Sequence, residues 1–126
     1  PNINVIEVTS DASMTFMFGS FDLISINFGN INTPKLEDIS GLFSGCFSLL
    51  SIDLSSFDTS LVTNMGGMFS YCVSLISINF GNFVTSQVTD MSDLFQFCKE
   101  LTSFDLSSFN SSSVITMKEC SVNALP

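Results

Sequence analysis

The fold is decided by residues 49–57, which read Leu-Leu-Ser-Ile-Asp-Leu-Ser-Ser-Phe. The pattern returns in residues 75–83 as Leu-Ile-Ser-Ile-Asn-Phe-Gly-Asn-Phe and in residues 101–109 as Leu-Thr-Ser-Phe-Asp-Leu-Ser-Ser-Phe. It also occurs earlier, in residues 23–31, as Leu-Ile-Ser-Ile-Asn-Phe-Gly-Asn-Ile. Four copies therefore follow one another every 26 residues without an insertion. A fixed period of roughly 20–50 residues is the signature of a repeat architecture.

Each 26-residue unit divides into three parts, of which the first is a short strand. Ile52 and Leu54 are apolar, whereas the residues beside and between them are polar. Alternation with a period of two is typical of a half-buried strand. The second part is a turn rich in Ser, Thr, Asn and Asp that leads to an apolar residue, Val62 in this unit.

The third part has apolar residues at positions i, i+3, i+4 and i+7, which lie on one face of an α-helix. These residues are Ile39, Leu42, Phe43 and Cys46; Met65, Met68, Phe69 and Cys72; and Met91, Leu94, Phe95 and Cys98. A residue with a capping side chain precedes the third part in each unit, and these are Asp38, Asn64, Asp90 and Thr116. Such side chains accept hydrogen bonds from first-turn amides. The pattern therefore predicts one or two turns of helix in each unit.

Together the units predict an α/β repeat solenoid of the leucine-rich-repeat kind. We expect about four to five units, each with a short strand, a turn and a short helix, and a parallel sheet on one face. One unit alone buries too little apolar surface to offset the entropy lost on ordering it, so neighbouring units must stack. We expect an irregular or capping segment at 1–13, the solenoid at 14–120, and a decayed repeat or truncated end at 121–126.

Stacking places equivalent residues in columns about 4.7–4.9 Å apart along the sheet. Two columns consist of phenylalanine, and we assign them to the core: Phe43, Phe69 and Phe95, and Phe57, Phe83 and Phe109. The units also alternate, because residues 25–30 and 77–82 are identical. We attribute this 52-residue super-repeat to duplication of a pair of units.

The composition excludes several classes of partner. The chain has three Lys and Arg residues against twelve Asp and Glu, a net charge of −9. Three cations cannot form the basic stripe that binding to nucleic acid or to an anionic lipid surface requires. No apolar run approaches the roughly 18 residues of a membrane span, so we expect no membrane insertion by this segment.

The outward face of the strands is the candidate binding surface. It is flat and rich in hydroxyl groups, without the Trp, Tyr or Arg anchors that dominate many protein interfaces. Its residues are Ser25, Asn27, Ser51, Asp53, Ser55, Ser77, Asn79, Ser103, Asp105 and Ser107. Small side chains of this kind suit either a solvated sheet face or a docking surface for a glycan, a protein or another copy of the chain.

Nothing in the sequence points to catalysis, a cofactor or a metal. The chain has no His, the commonest general base, and we expect Asp53 and Asp105 to lie on a solvated surface where nothing raises a pKa. We predict either buried free cysteines or a single disulfide between Cys98 and Cys120. Asn110 begins the sequon Asn-Ser-Ser, a possible site of N-glycosylation. Turn residues such as Thr59, Ser60, Thr85 and Ser86 are candidates for O-linked sugar.

Residues 62–75, Val-Thr-Asn-Met-Gly-Gly-Met-Phe-Ser-Tyr-Cys-Val-Ser-Leu, carry a family resemblance, as do residues 53–60, Asp-Leu-Ser-Ser-Phe-Asp-Thr-Ser. They resemble the repeats of BspA-like leucine-rich-repeat surface proteins, including the mycoplasma-type lipoprotein repeats. The resemblance covers about residues 14–118. It implies an extracellular or cell-surface protein with a role in adhesion or in binding host matrix, and no catalytic residues. Common leucine-rich repeats place Asn after the strand, where this chain has Phe57.

Two hypotheses of function follow. The first is an extracellular, surface-associated recognition or adhesion module without catalytic activity, whose ligand is a protein or glycan at the cell surface. The second is a structural protein that assembles with its own copies, through the solenoid ends or the strand face, into filaments or a coat. Ice binding by the hydroxyl-rich face is a third and weaker hypothesis, because Asp and Asn interrupt the row of hydroxyls.

Overall fold

The computed structural model describes residues 2–3, 15, 22–26, 28, 31 and 35–110. Within these residues, five short strands form one parallel sheet whose spatial order follows the chain. The strands are β1 Asn2–Ile3, β2 Ser25–Ile26, β3 Ser51–Asp53, β4 Ser77–Asn79 and β5 Ser103–Phe104. Within the described residues, no helix is long and apolar enough to cross a membrane.

The register of the sheet reproduces the repeat period. Ser51 pairs with Ser77, and Ser77 pairs with Ser103, so each strand is displaced from its neighbour by one unit. Strand β1 belongs to the predicted segment 1–13 and pairs at a shorter offset, with Asn2 opposite Ser25. The prediction of parallel strands from successive repeats in one sheet is confirmed.

The core consists of the apolar columns that the periodicity predicts. Phe43, Phe69 and Phe95 are fully buried and stack with ring centroids 5.5 and 5.9 Å apart. In the second column, Phe83 and Phe109 stack at 6.1 Å, whereas Phe57 packs edge-on against Phe28 at 4.8 Å. Both phenylalanine columns therefore belong to the core, as predicted.

The predicted helices are not formed, since the described residues contain only turns where the helices were expected. The N–H groups of this segment alternate between two kinds of acceptor. Leu42 and Ser44 donate to carbonyls three residues earlier, at 3.2 and 2.9 Å. Phe43 donates instead to Met68 of the next unit, at 2.9 Å. The segment is thus a run of linked turns that pairs with its neighbour along the backbone.

The physical reason for this difference lies in the backbone conformation. In each of the three units whose turns are described, two positions have a positive φ, which an α-helix cannot accommodate. They are Gly41, Gly67 and Asp93 at φ 57–62°, and Gly45, Tyr71 and Phe97 at φ 60–76°. The i, i+3, i+4, i+7 pattern still marks the buried residues correctly, because the linked turns point the same side chains inward.

The predicted helix caps have a different role in the structure. The side chains of Asp38, Asn64 and Asp90 each accept a hydrogen bond from the amide two residues later, at 2.8–2.9 Å. The three residues also pair with one another as parallel bridges between units. They therefore begin the run of turns rather than a helix, while Thr116 lies outside the described residues.

The structure provides a packing reason for the alternation of units. Phe57 donates its amide to the Leu54 carbonyl at 3.0 Å and closes a turn after β3. One unit later, Gly81 has φ 56°, and a Cβ there would lie 2.7 Å from the Cβ of Ser55. Glycine at 81 beside serine at 55 is therefore a steric requirement, in addition to any shared ancestry of the units.

Candidate functional site

The outward strand face is assembled largely as the sequence predicts. Its serines form one row across four strands, and these are Ser25, Ser51, Ser77 and Ser103. Asp53 and Asn79 are paired in the adjacent row. Asn27 lies outside the described residues.

A shallow depression of about 370 Å³ follows these rows across the units. The depression is lined by the serine row and by Asp53 and Asn79. It is also lined by the isoleucines that follow three of these serines in the strands, Ile26, Ile52 and Ile78. A surface with this shape can contact an extended ligand at the same type of position in several consecutive units.

The acidic and amide side chains of this face also close the turns after strands β3, β4 and β5. The Oδ1 atoms of Asp53, Asn79 and Asp105 accept hydrogen bonds from amides two residues later, at 2.8–3.0 Å. The donors at the two aspartates are Ser55 and Ser107. These two predicted site residues therefore hold the carboxylates in place, and they are not lining residues of the depression.

The carboxylates of the face are held in their charged form. The pKa of Asp53 is lowered, chiefly by hydrogen bonds from the hydroxyl and then the amide of Ser55, with a further contribution from the Asn79 side chain. The pKa of Asp105 is lowered by the amide and then the hydroxyl of Ser107. Both groups can therefore accept hydrogen bonds and attract cations at neutral pH, whereas a general acid would need a raised pKa.

No candidate metal site is found in the part of the chain that the structure describes, where no group of three or more metal-ligating side chains occurs. The three central cysteines, Cys46, Cys72 and Cys98, are buried in one column and form no disulfide with one another. The thiol of Cys98 donates to the Phe69 carbonyl at 3.1 Å, and burial raises its pKa to about 12. Because the thiolate is the reactive form, such a cysteine is inert. Cys120 lies outside the described residues, so the Cys98–Cys120 disulfide stays a prediction.

Asn110 is exposed, and its backbone is fixed by the neighbouring unit. Its amide donates to the Thr85 hydroxyl at 2.7 Å, and that hydroxyl donates to the Asn110 carbonyl at 3.2 Å. The rest of the sequon lies outside the described residues, so N-glycosylation at Asn110 stays a prediction.

Of the four candidates for O-linked sugar, Thr59 and Thr85 are excluded because both side chains are buried. Ser60 and Ser86 are exposed, so O-linked sugar at these two residues stays a prediction. Thr59 makes the same pair of bonds with the next unit, accepting from the Val84 amide at 2.8 Å and donating to its carbonyl at 3.0 Å.

Sequence reasoning missed two groups of exposed apolar residues, one aliphatic and one aromatic, which we together call the apolar edge. It consists of six large apolar residues that are each 43–54% exposed: Ile24, Leu50, Ile76, Phe47, Tyr71 and Phe97. A signal was present in the doubled apolar residues Leu49-Leu50 and Leu75-Ile76, where one member of each pair has no place in the core.

Comparison with known proteins identifies a family. A family model described as "Mycoplasma protein of unknown function, DUF285" matches residues 12–125. No curated protein and no solved structure matches the chain.

Proposed function

The chain belongs to this Mycoplasma family of unknown function, and from that premise we propose that it is an extracellular, surface-associated recognition or adhesion module without catalytic activity. We propose further that its units form a leucine-rich-repeat-like solenoid of the BspA-like kind, with linked turns where helices were expected. Its ligand is a protein or glycan at a cell surface.

The observation that carries the proposal is the depression along the serine row. It crosses four strands and presents hydroxyl, carboxylate and amide groups at regular intervals. A glycan or an extended polypeptide has a repeating structure of its own, so it can form similar hydrogen bonds in consecutive units. Small side chains also leave room for bridging water, which is nearly as favourable in enthalpy as a direct hydrogen bond.

The test is a solid-phase binding screen of the purified chain against extracellular-matrix proteins and a panel of glycans. Ser51→Arg/Ser77→Arg fills the depression, whereas Ser86→Arg/Gln87→Arg adds the same charge at two exposed residues of a turn. We expect any ligand found to bind at least tenfold more weakly to the first variant and to bind normally to the second. Absence of binding across both panels would refute the proposal.

The second candidate is a structural protein that assembles into filaments or a coat. It is favoured by the backbone hydrogen bonds between units, which run along the sheet and along the linked turns. Such bonding can extend through additional units. Negative-stain electron microscopy over a range of concentrations tests it, since filaments or ordered stacks favour assembly and dispersed particles favour recognition.

A further inference from the structure

The apolar edge lies beside the strand face but is a separate surface. Its aliphatic part is a row joined by backbone bonds: the Leu50 amide donates to Ile24 at 3.1 Å, and the Ile76 amide donates to Leu50 at 2.8 Å. All three side chains are 43–51% exposed, whereas the apolar side chains of the strands that follow them are almost completely buried. Contiguous exposed apolar surface of this kind marks an interaction site more often than a solvated one.

The aromatic part of the edge is maintained against a conformational cost. The rings of Tyr71 and Phe97 contact each other in adjacent units, with centroids 4.8 Å apart and an interplanar angle of 30°. Both residues have a left-handed backbone conformation, with φ angles of 62° and 60°. The equivalent residue of the preceding unit is a glycine, Gly45. Glycine adopts this conformation without strain. Two exposed aromatic residues at strained positions lower the stability of the fold, so their presence indicates that they contribute to binding.

Charge identifies the partner of the edge. One position of the repeat, next to Phe47 in the sequence, is occupied in successive units by Asp22, Ser48, Ser74 and Glu100. The first and the last of these units therefore carry a carboxylate there. The Ser48 hydroxyl donates to Asp22 at 2.6 Å, which places that carboxylate beside the Phe47 unit. Lys99 precedes Glu100 in the sequence, but the chain as a whole has a net charge of −9. Two copies of this chain repel each other, whereas a basic partner is attracted.

We infer that the apolar edge binds a basic polypeptide segment in which apolar side chains alternate with lysine or arginine. The apolar side chains pack on Ile24, Leu50 and Ile76. The cations pair with Asp22 and Glu100 and lie over the aromatic rings, which attract cations through their faces. The edge thus supplies the large anchors that the flat strand face lacks.

The test measures fluorescence anisotropy of a labelled twelve-residue peptide of alternating Leu and Lys, titrated with the purified full chain. Leu50→Ser/Ile76→Ser removes apolar surface from the edge. Leu61→Ser/Val84→Ser is the matched control, because these residues are 47% and 41% exposed elsewhere. We expect saturable binding that weakens at least tenfold in the edge variant and less than twofold in the control. Peptides that alternate Leu with Glu, or Ser with Lys, should bind at least tenfold more weakly than the Leu–Lys peptide.

Tyr71→Gly separates binding from folding. It relieves the left-handed strain, so we expect a melting temperature at or above that of the parent chain together with binding about threefold weaker. Equal losses in the edge and control variants would overturn the inference, as would equal affinity for the Ser–Lys peptide. Sedimentation that reveals a dimer abolished by Leu50→Ser/Ile76→Ser would assign the edge to a second copy instead.

Discussion

Single residues in the linked turns carry strain that their equivalents in other units avoid. Gly41, Gly67 and Asp93 occupy one position of the repeat, and all have φ between 57° and 62°. This conformation costs an L-residue about 1–2 kcal/mol of conformational free energy, although aspartate tolerates it better than most residues. The strain at Asp93 is therefore a property of its side chain, since the fold is built with glycine in two other units.

Asp93→Gly should stabilise the chain by about 0.5–1 kcal/mol, because relief of about 1–2 kcal/mol exceeds the unfolded-state entropy of glycine, about 0.5–1 kcal/mol. Urea denaturation measures the change. Asp93→Ala is the control, since it removes the same charge and keeps the strain. Equal stabilisation by both substitutions would show that charge, and not backbone conformation, is responsible.

Gly81 combines a positive φ with a close neighbour. Gly81→Ser introduces the residue of the adjacent units, and its Cβ would lie 2.7 Å from the Cβ of Ser55. We expect a loss of about 2–4 kcal/mol, from left-handed strain and overpacking together. Adding Ser55→Gly should recover at least about 1 kcal/mol in a double-mutant cycle. Additive losses would contradict the proposed clash.

At the scale of the element, strands β3, β4 and β5 each lead into a turn that is closed by a carboxylate or an amide. Asn79 makes the same hydrogen bond as Asp53 and Asp105, so the turn needs the Oδ1 acceptor and not the charge. The charge, however, makes the turn sensitive to acid. The pKa of Asp53 and of Asp105 is lowered from 3.8, so the folded chain binds protons less readily than the unfolded chain.

This sign determines the dependence of stability on pH. The contribution of both groups is fully present above about pH 4–5 and is lost as the pH falls through their folded pKa values. Asp53→Asn/Asp105→Asn should therefore leave the free energy of unfolding at pH 7 nearly unchanged and reduce its fall between pH 7 and pH 3. Urea unfolding at the two pH values measures it. If the free energy of unfolding of the variant fell as steeply as that of the parent chain, these turns would not be the cause of the acid sensitivity.

The elements differ in how far the sequence could predict them. Strands and core followed from the alternation around Ile52 and from the 26-residue period, because a buried sheet face imposes both. The helix prediction failed in the described units because linked turns bury the same positions as a helical face. The positive φ angles and the unit-to-unit bonds of residues such as Phe43, which distinguish the two, do not appear in the apolar pattern. The serine row was predictable from register. The apolar edge was not, because Leu50 and Leu49 are indistinguishable until the backbone assigns one to the core.

At the scale of the whole molecule, stability comes from contacts between neighbouring units, as in other repeat architectures. The buried hydroxyls of Thr59 and Thr85 connect each unit to the backbone of the next at 2.7–3.2 Å. A hydroxyl that both donates and accepts in this way fixes the distance between units.

Thr59→Val keeps the side-chain shape and removes both hydrogen bonds with Val84. We expect a loss of about 1–3 kcal/mol, since the part-buried amide and carbonyl of Val84 lose their hydrogen-bond partner. Thr63→Val is the control, because the Thr63 hydroxyl is exposed and bonds to Glu37 at 3.3 Å; its cost should stay below about 0.5 kcal/mol. Similar values for both, in thermal or urea unfolding, would argue against a stacking role for Thr59.

The strand face, the apolar edge and the strained positions all depend on one claim, that the units stack in register through backbone hydrogen bonds and contain no helix between the strands. Backbone NMR of the isotopically labelled chain tests it most directly. We predict contacts between the Ile52 and Ile78 strands and between Phe43 and Met68, with non-helical ¹³Cα shifts throughout residues 65–72. Helical shifts over 65–72 without contacts between units would contradict it.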